Sequence, residues 1–359
     1  MTKILFHIDL NAFYANAEIL LDPSLENTDM VVSGSSSRSV VTTATYSARK
    51  YGIHSGMSLA QALKLCPTLK VVKGHHRFYE KLSNLFIDYI KTITPLVEQV
   101  SIDECYADMS EAMLRYDKPF DLAMEIQHVL LQKYHLKCSI GIAANRFLAK
   151  MASDMKKPMG ITWIHEQDVA KMIWPLPVEQ MYGIGKRTAP LLKKQGIETI
   201  GDITKRENQE ILRRIFGKSY LQVVNEANGK GSDVLELTSK AKSIGQSSTF
   251  AQDVVDYEEV KVLLWELAQK VSFRLIEENL VASHVTLTIR TFDFVNLVRS
   301  QNCGRYINNS RDLYEEALSL YDRFAPDKPV RLLGISVKDL KVQQQISKQL
   351  SLFESMEDA

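Results

Sequence analysis

Two short strings hold the carboxylates on which chemistry in this chain would turn: Asp9 in "FHIDL" and the adjacent pair Asp103–Glu104 in "SIDECY". Both strings lie in apolar, strand-like surroundings. Successive side chains of a strand point to opposite faces, so neighbouring acids at the exit of a strand would send one toward the interior. An unpaired buried carboxylate is strongly unfavourable. A solvated hairpin tip avoids that cost, and so does a bound cation. If the strands carrying Asp9 and Asp103–Glu104 are neighbours in one sheet, three carboxylates converge at one edge, a donor set that suits hard divalent cations such as magnesium. Two such ions ~3.5–4 Å apart hold an attacking and a leaving oxygen in line. That is apparatus for phosphoryl or nucleotidyl transfer.

Groups able to hold phosphates stand elsewhere in the chain. In "TTATYSARKYG", Tyr46 and Arg49 are three residues apart on an expected helix and share a face, with Thr43 just before it. A guanidinium, a phenol and a hydroxyl on one side suit a triphosphate. In "ASDMKKPMGI", Lys156 and Lys157 stand at a helix end closed by Pro158, where a lysine can act as a point charge for phosphate. Taken alone, each segment also fits a solvated helix surface.

These residues need elements to position them. Residues 3–10 alternate Ile4, Phe6, Ile8 and Leu10 and predict a buried strand. A helix is expected from about Ala12, short strands in "DMVVSG" and "RSVVTT", and helices in "TYSARKYG" and "SLAQALKLC", the latter ended by Pro67. A long helix over 75–93 precedes the hairpin containing "SIDECY". Then come a helix over 120–134, a strand in "LKCSIGIAA" and a helix in "NRFLAKMASDM" with Asn145 as its N-cap. Between Glu166 and Lys230 short helical patterns replace strands. Strands return from about Lys240. An amphipathic helix over 256–278 carries Val260, Leu263, Leu264, Leu267 and Val271 on one face. A hairpin follows, with Val285, Leu287 and Ile289 on one side and Thr286, Thr288 and Arg290 on the other, then a helix over 310–324 and a strand over 330–338. The tail from Lys341 is polar and Gln-rich, a composition that predicts mobility.

The bulk figures fit a multidomain globular chain. Its 359 residues exceed what one hydrophobic core usually serves. With 45% hydrophobic and 24% charged residues the composition is ordinary. No apolar run approaches the ~20 residues of a membrane span, and "MTKILFHIDL" lacks the layout of a secretory leader. Cys66, Cys105, Cys138 and Cys303 are scattered without metal-binding spacing, which predicts a reduced, cytoplasmic protein. The net charge of +1 argues mildly against a nucleic-acid partner unless charge is segregated locally.

Four strings, "HIDLNAFYANAE", "TTATYSARKYGIHSGM", "SIDECYADMS" and "IGIAANRFLAKMASDMKKPMGI", resemble the successive motifs of the Y-family translesion DNA polymerases, in the family's order and spacing. The resemblance implies a multidomain α/β and α+β fold. A palm with a ferredoxin-like mixed sheet would span 1–10 and 75–165, and small fingers 11–74. An all-α thumb with a helix-hairpin-helix would cover 166–235, a linker 236–240, an α+β little finger 241–340, and a flexible tail 341–359. It implies Asp9, Asp103 and Glu104 as catalytic acids and ligands of two magnesium ions, with manganese as a substitute and the backbone carbonyl of Leu10 as a further ligand. Phe13, Thr43, Tyr46, Arg49 and Lys157 would hold the incoming deoxynucleoside triphosphate, and Tyr14 would be the steric gate against a 2′-hydroxyl. The alternative for Tyr14 is a core aromatic on the first helix. Asn11 and Ala12 depart from the pattern, since many relatives carry an aspartate and a bulkier residue there.

Later segments extend the resemblance. "MYGIGKRTAPLLKKQGIETIGDI" is not a phosphate-binding P-loop, because Arg187 follows the Gly-Lys pair and Gln180 stands at the upstream glycine position. It resembles a helix-hairpin-helix, in which the amides of Gly183 and Gly185 would hold a DNA phosphate beside Lys186 and Arg187; a plain helix–helix turn is the alternative. The 240–340 unit resembles the family's little finger, with Arg290, Arg299 and Arg305 implied as contacts to primer–template DNA. Gln349, Leu350, Leu352 and Phe353 resemble the short peptide that engages the bacterial sliding clamp. A monomer away from any membrane is implied. Two rivals stay open: another palm-type nucleotidyl transferase or cyclase, against which the thumb, little finger and tail argue, and a catalytically silent DNA- and clamp-binding adaptor, against which the intact acids argue.

Overall fold

The computed structural model describes residues 3–36, 38–237 and 241–343. In chain order the first elements are β1 (Leu5–Leu10), α1 (Phe13–Leu21), β2 (Met30–Ser33), β3 (Val41–Ala44), α2 (Tyr46–Arg49), α3 (Leu59–Leu65) and β4 (Lys70–Val72). Next come α4 (His76–Ile93), β5 (Val97–Gln99), β6 (Glu104–Asp108), α5 (Pro119–Tyr134), β7 (Cys138–Ala143), α6 (Arg146–Met155) and β8 (Ile161–Trp163). The mixed sheet that positions the acids has the order β5-β6-β1-β7-β8, with β1 antiparallel to both neighbours and β7 parallel to β8. Phe6, Ile8 and Leu10 send their side chains into a core built with α4 and α5, where Phe86, Ile90, Leu122, Ile126 and Leu130 are buried.

The opposite face of that sheet carries His7 and Asp9 and is covered by α6. Gly141 makes the close approach possible. A Cβ there would lie 2.0 Å from the carbonyl oxygen of Ala149 and 2.3 Å from the amide nitrogen of Ser153, so only a glycine lets α6 pack this near. Asn145 caps α6, its side chain accepting the Leu148 amide at 3.0 Å. The helix closes at Met155, as the string predicts, and Lys156 is its C-cap.

A second, three-stranded sheet of order β3-β2-β4 carries α2 and α3 on its own small core of Val31, Val41, Ala48, Ile53 and Leu69. Beyond β8 the short helices α7 (Val169–Met172), α8 (Thr188–Lys193), α9 (Ile200–Ile203), α10 (Gln209–Phe216) and α11 (Tyr220–Ala227) pack with Phe147, Leu148 and Met151 of α6 in a shared core. Thr199 and Asp202 form a reciprocal capping box at the start of α9. Partial burial would raise the Asp202 pKa, but Lys205 at 2.8 Å and donors from Thr199 and Glu198 pull it well below the carboxylate range. A depressed carboxylate stabilises the fold fully above its unfolded pKa, roughly 3.9, and the contribution is lost as pH falls through the folded value. Asp202→Asn should therefore cost about 1–2 kcal/mol at pH 7. Urea melts below pH 4 should show the gap to wild type closing.

The chain divides into two compact units, Met1–Thr238 and Ser239–Ala359. In the second, β9 (Ser243–Val254), α12 (Tyr257–Glu277), β10 (Leu280–Thr291), β11 (Asn296–Ile307), α13 (Ser310–Phe324) and β12 (Val330–Val342) form a sheet of order β11-β10-β12-β9 covered on one face by both helices. Val285, Leu287 and Ile289 face those helices, as the alternation predicts. The other face carries Thr286, Thr288 and Arg290, with Ser300, Ser336 and Gly334 in cross-strand register and Ser247 beside Gly334.

Candidate active site

Asp9 is the penultimate residue of β1 and the cross-strand partner of Glu104, the first residue of β6. The sequence reading placed the acid pair at a strand exit. It stands instead at a strand entry, and antiparallel pairing brings that entry beside the end of β1. Asp103 precedes the strand in a bend, its side chain held by the Ser101 hydroxyl at 2.6 Å, while the Leu10 amide donates to its carbonyl at 2.9 Å. The alternation that would have buried one acid therefore does not apply to Asp103.

Asp9 and Glu104 lean over the face covered by α6, and the Lys150 ammonium group bridges them. Lys150 Nζ lies 2.8 Å from Glu104 Oε2 and 3.2 Å from Asp9 Oδ2. Lys157 Nζ lies 2.6 Å from the same Asp9 oxygen and 2.7 Å from Asp154 Oδ1. Burial alone would lower the pKa of either lysine, but the surrounding carboxylates raise both. Beneath them His7 is fully buried. Its Nδ1 meets the Ser153 hydroxyl at 2.8 Å, and its Nε2 lies 3.2 Å from Glu104 Oε2 without hydrogen-bonding alignment. Burial keeps the His7 pKa below its ordinary value, and contact with that ring together with Lys150 brings Glu104 down to about 2. Among the described residues Asp103 forms no ion pair within 4 Å; burial and then the charges of Asp9 and Glu104 raise its pKa.

The donor set fits a divalent cation. His7, Asp9 and Glu104 offer ligand atoms within 4.8 Å of one another, and the orphaned His7 Nε2 points into that group. Asp103 lies outside it in this conformation but lines the same cleft as Asp9.

That cleft, of about 230 Å³, is lined by Asp9, Leu10, Phe13, Tyr14, Thr43, Tyr46, Arg49, Asp103 and Lys157. The residues singled out from four separate sequence strings thus meet around one space. Arg49 lies over the Tyr46 ring at 4.7 Å and donates to the Ala44 carbonyl at 3.1 Å, which fixes its head group at the cleft wall. Tyr14 projects from α1 against Tyr79, with ring centroids 4.5 Å apart, and burial followed by the Asp103 charge raises its pKa. Thr42 and Ser55 also line the cleft, and the sequence reading did not single them out. Lys150 and His7 were missed as well.

Asn11 does not enter the cleft. It is 1% exposed, donates to Ser139 Oγ at 2.9 Å and accepts the Met159 amide at 2.8 Å. The amide donates on one side and accepts on the other, whereas an aspartate there would accept from both and need the Ser139 hydroxyl as donor. Ala12 holds a left-handed backbone (φ 42) at the N-cap of α1 and lines the cleft.

In the helical segment, Gly183 (φ 92) and Gly185 precede α8, a Cβ at either would meet open space, and Lys186 and Arg187 are exposed. The three sheet arginines do not share one face. Arg290 lies on the helix-free face, whereas Arg299 sits over Phe324 at 5.1 Å and Arg305 pairs with Asp312 at 3.0 Å, both turned toward α13. A register shift between Ala282 and His284 breaks the simple alternation along this hairpin. Residues 349–353 lie outside the described residues.

Comparison with known proteins agrees with this architecture. The impB/mucB/samB family profile matches residues 8–154, its C-terminal domain 241–352, and the family's HHH motif 166–197. A DNA polymerase IV of Oceanobacillus iheyensis is 38% identical over 355 residues, covering 98% of this chain and 84% of that protein. DNA polymerase IV 1 of Bacillus subtilis is 39% identical over 362 residues, covering 100% and 87%. Among solved structures, a Y-family DNA polymerase chimera built from Dbh and Dpo4 superposes with a TM-score of 0.84 at 26% identity, covering 94% of this chain and 99% of that one. Sequence and fold together place the chain in the impB/mucB/samB family, the Y-family DNA polymerases.

Proposed function

We propose that this chain extends a primer 3′-hydroxyl with deoxynucleotides by nucleotidyl transfer at the Asp9–Asp103–Glu104 cleft, opposite damaged as well as intact template. As a member of its family it is a DNA-directed DNA polymerase of the translesion type. The observation that carries the catalytic assignment is the convergence of Asp9 and Asp103 with Tyr14, Thr43, Tyr46, Arg49 and Lys157 on one cleft.

Asp9, Asp103 and Glu104 would hold two magnesium ions, or manganese in their place, with the Leu10 carbonyl as a further ligand. Bound there, such ions position the primer hydroxyl and offset charge on the triphosphate. The protein's own part is positioning and neutralisation. Arg49 and Tyr46, already braced against each other, present a guanidinium and a phenol to the phosphates, with the Thr43 hydroxyl beside them. Lys157, released from Asp9, turns to a phosphate oxygen. Lys150 stays between Asp9 and Glu104 and limits their mutual repulsion. Phe13 and Tyr14 flank the sugar, and the Tyr14 ring leaves no room for a 2′-hydroxyl.

In domain terms, the five-stranded sheet with α4, α5 and α6 is the palm, the β3-β2-β4 sheet with its helices the fingers, α7–α11 the thumb, and the second unit the little finger. The grip on primer–template DNA is sequence-independent. Gly183, Gly185, Lys186 and Arg187 offer amides and charge at one place, and the helix-free sheet face offers Arg290 among serine, threonine and glycine residues, groups suited to phosphate oxygens. Arg299 and Arg305, held toward α13, contribute at most from the rim.

Primer extension with magnesium and four deoxynucleotides on lesion-bearing and intact templates tests the assignment, and absence of extension on both would refute it. We further assign Gln349, Leu350, Leu352 and Phe353 to a sliding-clamp contact by a monomeric polymerase. Removing residues 349–353 should leave extension of short primers unchanged and cut clamp-stimulated synthesis by roughly ten- to a hundredfold, the range expected when a tether is lost. Equal stimulation of both forms would refute the contact.

A further inference from the structure

Glu18 is a carboxylate that the reaction as described does not use, yet it is 2% exposed. It stands on α1 one turn beyond Tyr14 and accepts from three donors at the start of α4. The His75 amide donates at 3.1 Å, His75 Nδ1 lies 2.9 Å from Oε2, and the Tyr79 hydroxyl donates to Oε1. His75 is the N-cap position of α4 but makes no side-chain cap, so Glu18 satisfies the amide left free there. Tyr79, itself fully buried, lies at 4.5 Å from the Tyr14 ring. His76, also on α4, meets Tyr14 edge-on at 6.2 Å and Tyr79 at 5.5 Å. Two rings of α4 thus brace Tyr14, and Glu18 fastens the first turn of α4 to α1.

We infer that Glu18 is a positioning residue for sugar discrimination: through Tyr79 and the N-terminus of α4 it fixes where the Tyr14 ring stands over the cleft. The inference rests on the reading of Tyr14 as the gate. A steric gate works by exclusion, so it tolerates little displacement. Glu18→Ala leaves the buried Tyr79 hydroxyl and the His75 amide without their acceptor. The ring pair then settles differently, and the space for a 2′-hydroxyl opens.

Single-nucleotide insertion of deoxyribo- and ribonucleoside triphosphates by the full chain tests this. Glu18→Ala should lower the deoxy-to-ribo ratio of kcat/KM by roughly ten- to a hundredfold, the scale of a misplaced group. The loss should fall mainly on KM for the ribonucleotide. Glu18→Gln, which keeps an acceptor oxygen, should recover most of the ratio, whereas a merely structural defect would depress both sugars alike. Tyr79→Phe removes only the hydroxyl and carries the test if Glu18→Ala does not fold. A wild-type ratio in Glu18→Ala, or in Tyr79→Phe where the first is insoluble, overturns the inference. Tyr14→Ala run alongside separates the two claims. If it too leaves the ratio unchanged, the gate reading itself fails; if it alone changes the ratio, only the role of Glu18 falls.

Discussion

Asp103→Ala should reduce primer extension by roughly a thousandfold or more, equivalent to ~4 kcal/mol in the barrier, while primer–template binding stays close to wild type. Asp103 is the clean position for this experiment. It lies in the bend before β6, and its side chain contacts Ser101 rather than the core. Its removal therefore leaves no buried partner stranded. Glu104→Ala should cost as much activity but needs a melting control, because Lys150 loses one of its carboxylates and an ammonium left short of partners is itself destabilising. Gel-shift titration beside single-turnover extension separates binding from chemistry. Near wild-type extension in both variants would dismiss the assigned centre.

Tyr14→Ala should raise ribonucleotide insertion relative to deoxynucleotide insertion by on the order of a hundredfold. The ring lines the cleft and is stacked on Tyr79. Truncation removes the barrier outright, where a change at Glu18 would only shift it. The gain should appear for all four bases, since the ring meets the sugar rather than the base. An unchanged sugar preference would return Tyr14 to the role of a core aromatic on α1.

Much of the architecture was legible because the periodicities were long. The amphipathic stripe from Val260 to Val271 predicted α12 to within about a residue at each end, and Asn145 marked the start of α6. The strands β4 and β8 were not legible. Each is three residues long, too short for a period, and each exists because a parallel neighbour supplies its hydrogen bonds. The acids, Thr43, Tyr46, Arg49 and Lys157 were picked out as types and spacings, and Phe13 and Tyr14 through the family resemblance. Lys150 was not, because within "NRFLAKMASDM" it looks like any solvent-facing lysine of an amphipathic helix. Its role depends on how near α6 lies to β1 and β7. A sequence sign of that closeness was Gly141 between Ile140 and Ile142 in the middle of β7. The split between Arg290 and Arg299 was hidden for a related reason: Arg299 stands opposite Leu287 and so takes its face, and a cross-strand register cannot be counted along a single strand.

The pairing of Asp9 with Glu104 has a bearing on how such a chain can change in length. A residue inserted inside β6 would put Glu104 and the rest of the strand out of step, so that either Glu104 turns away from Asp9 or every later side chain goes to the wrong side. The same insertion one step earlier, in the bend before Asp103, would leave that pairing untouched. Tolerance to insertions should thus change abruptly across residues 102–105, and a scanning library across residues 98–108 read by primer extension would display the boundary as a sharp edge.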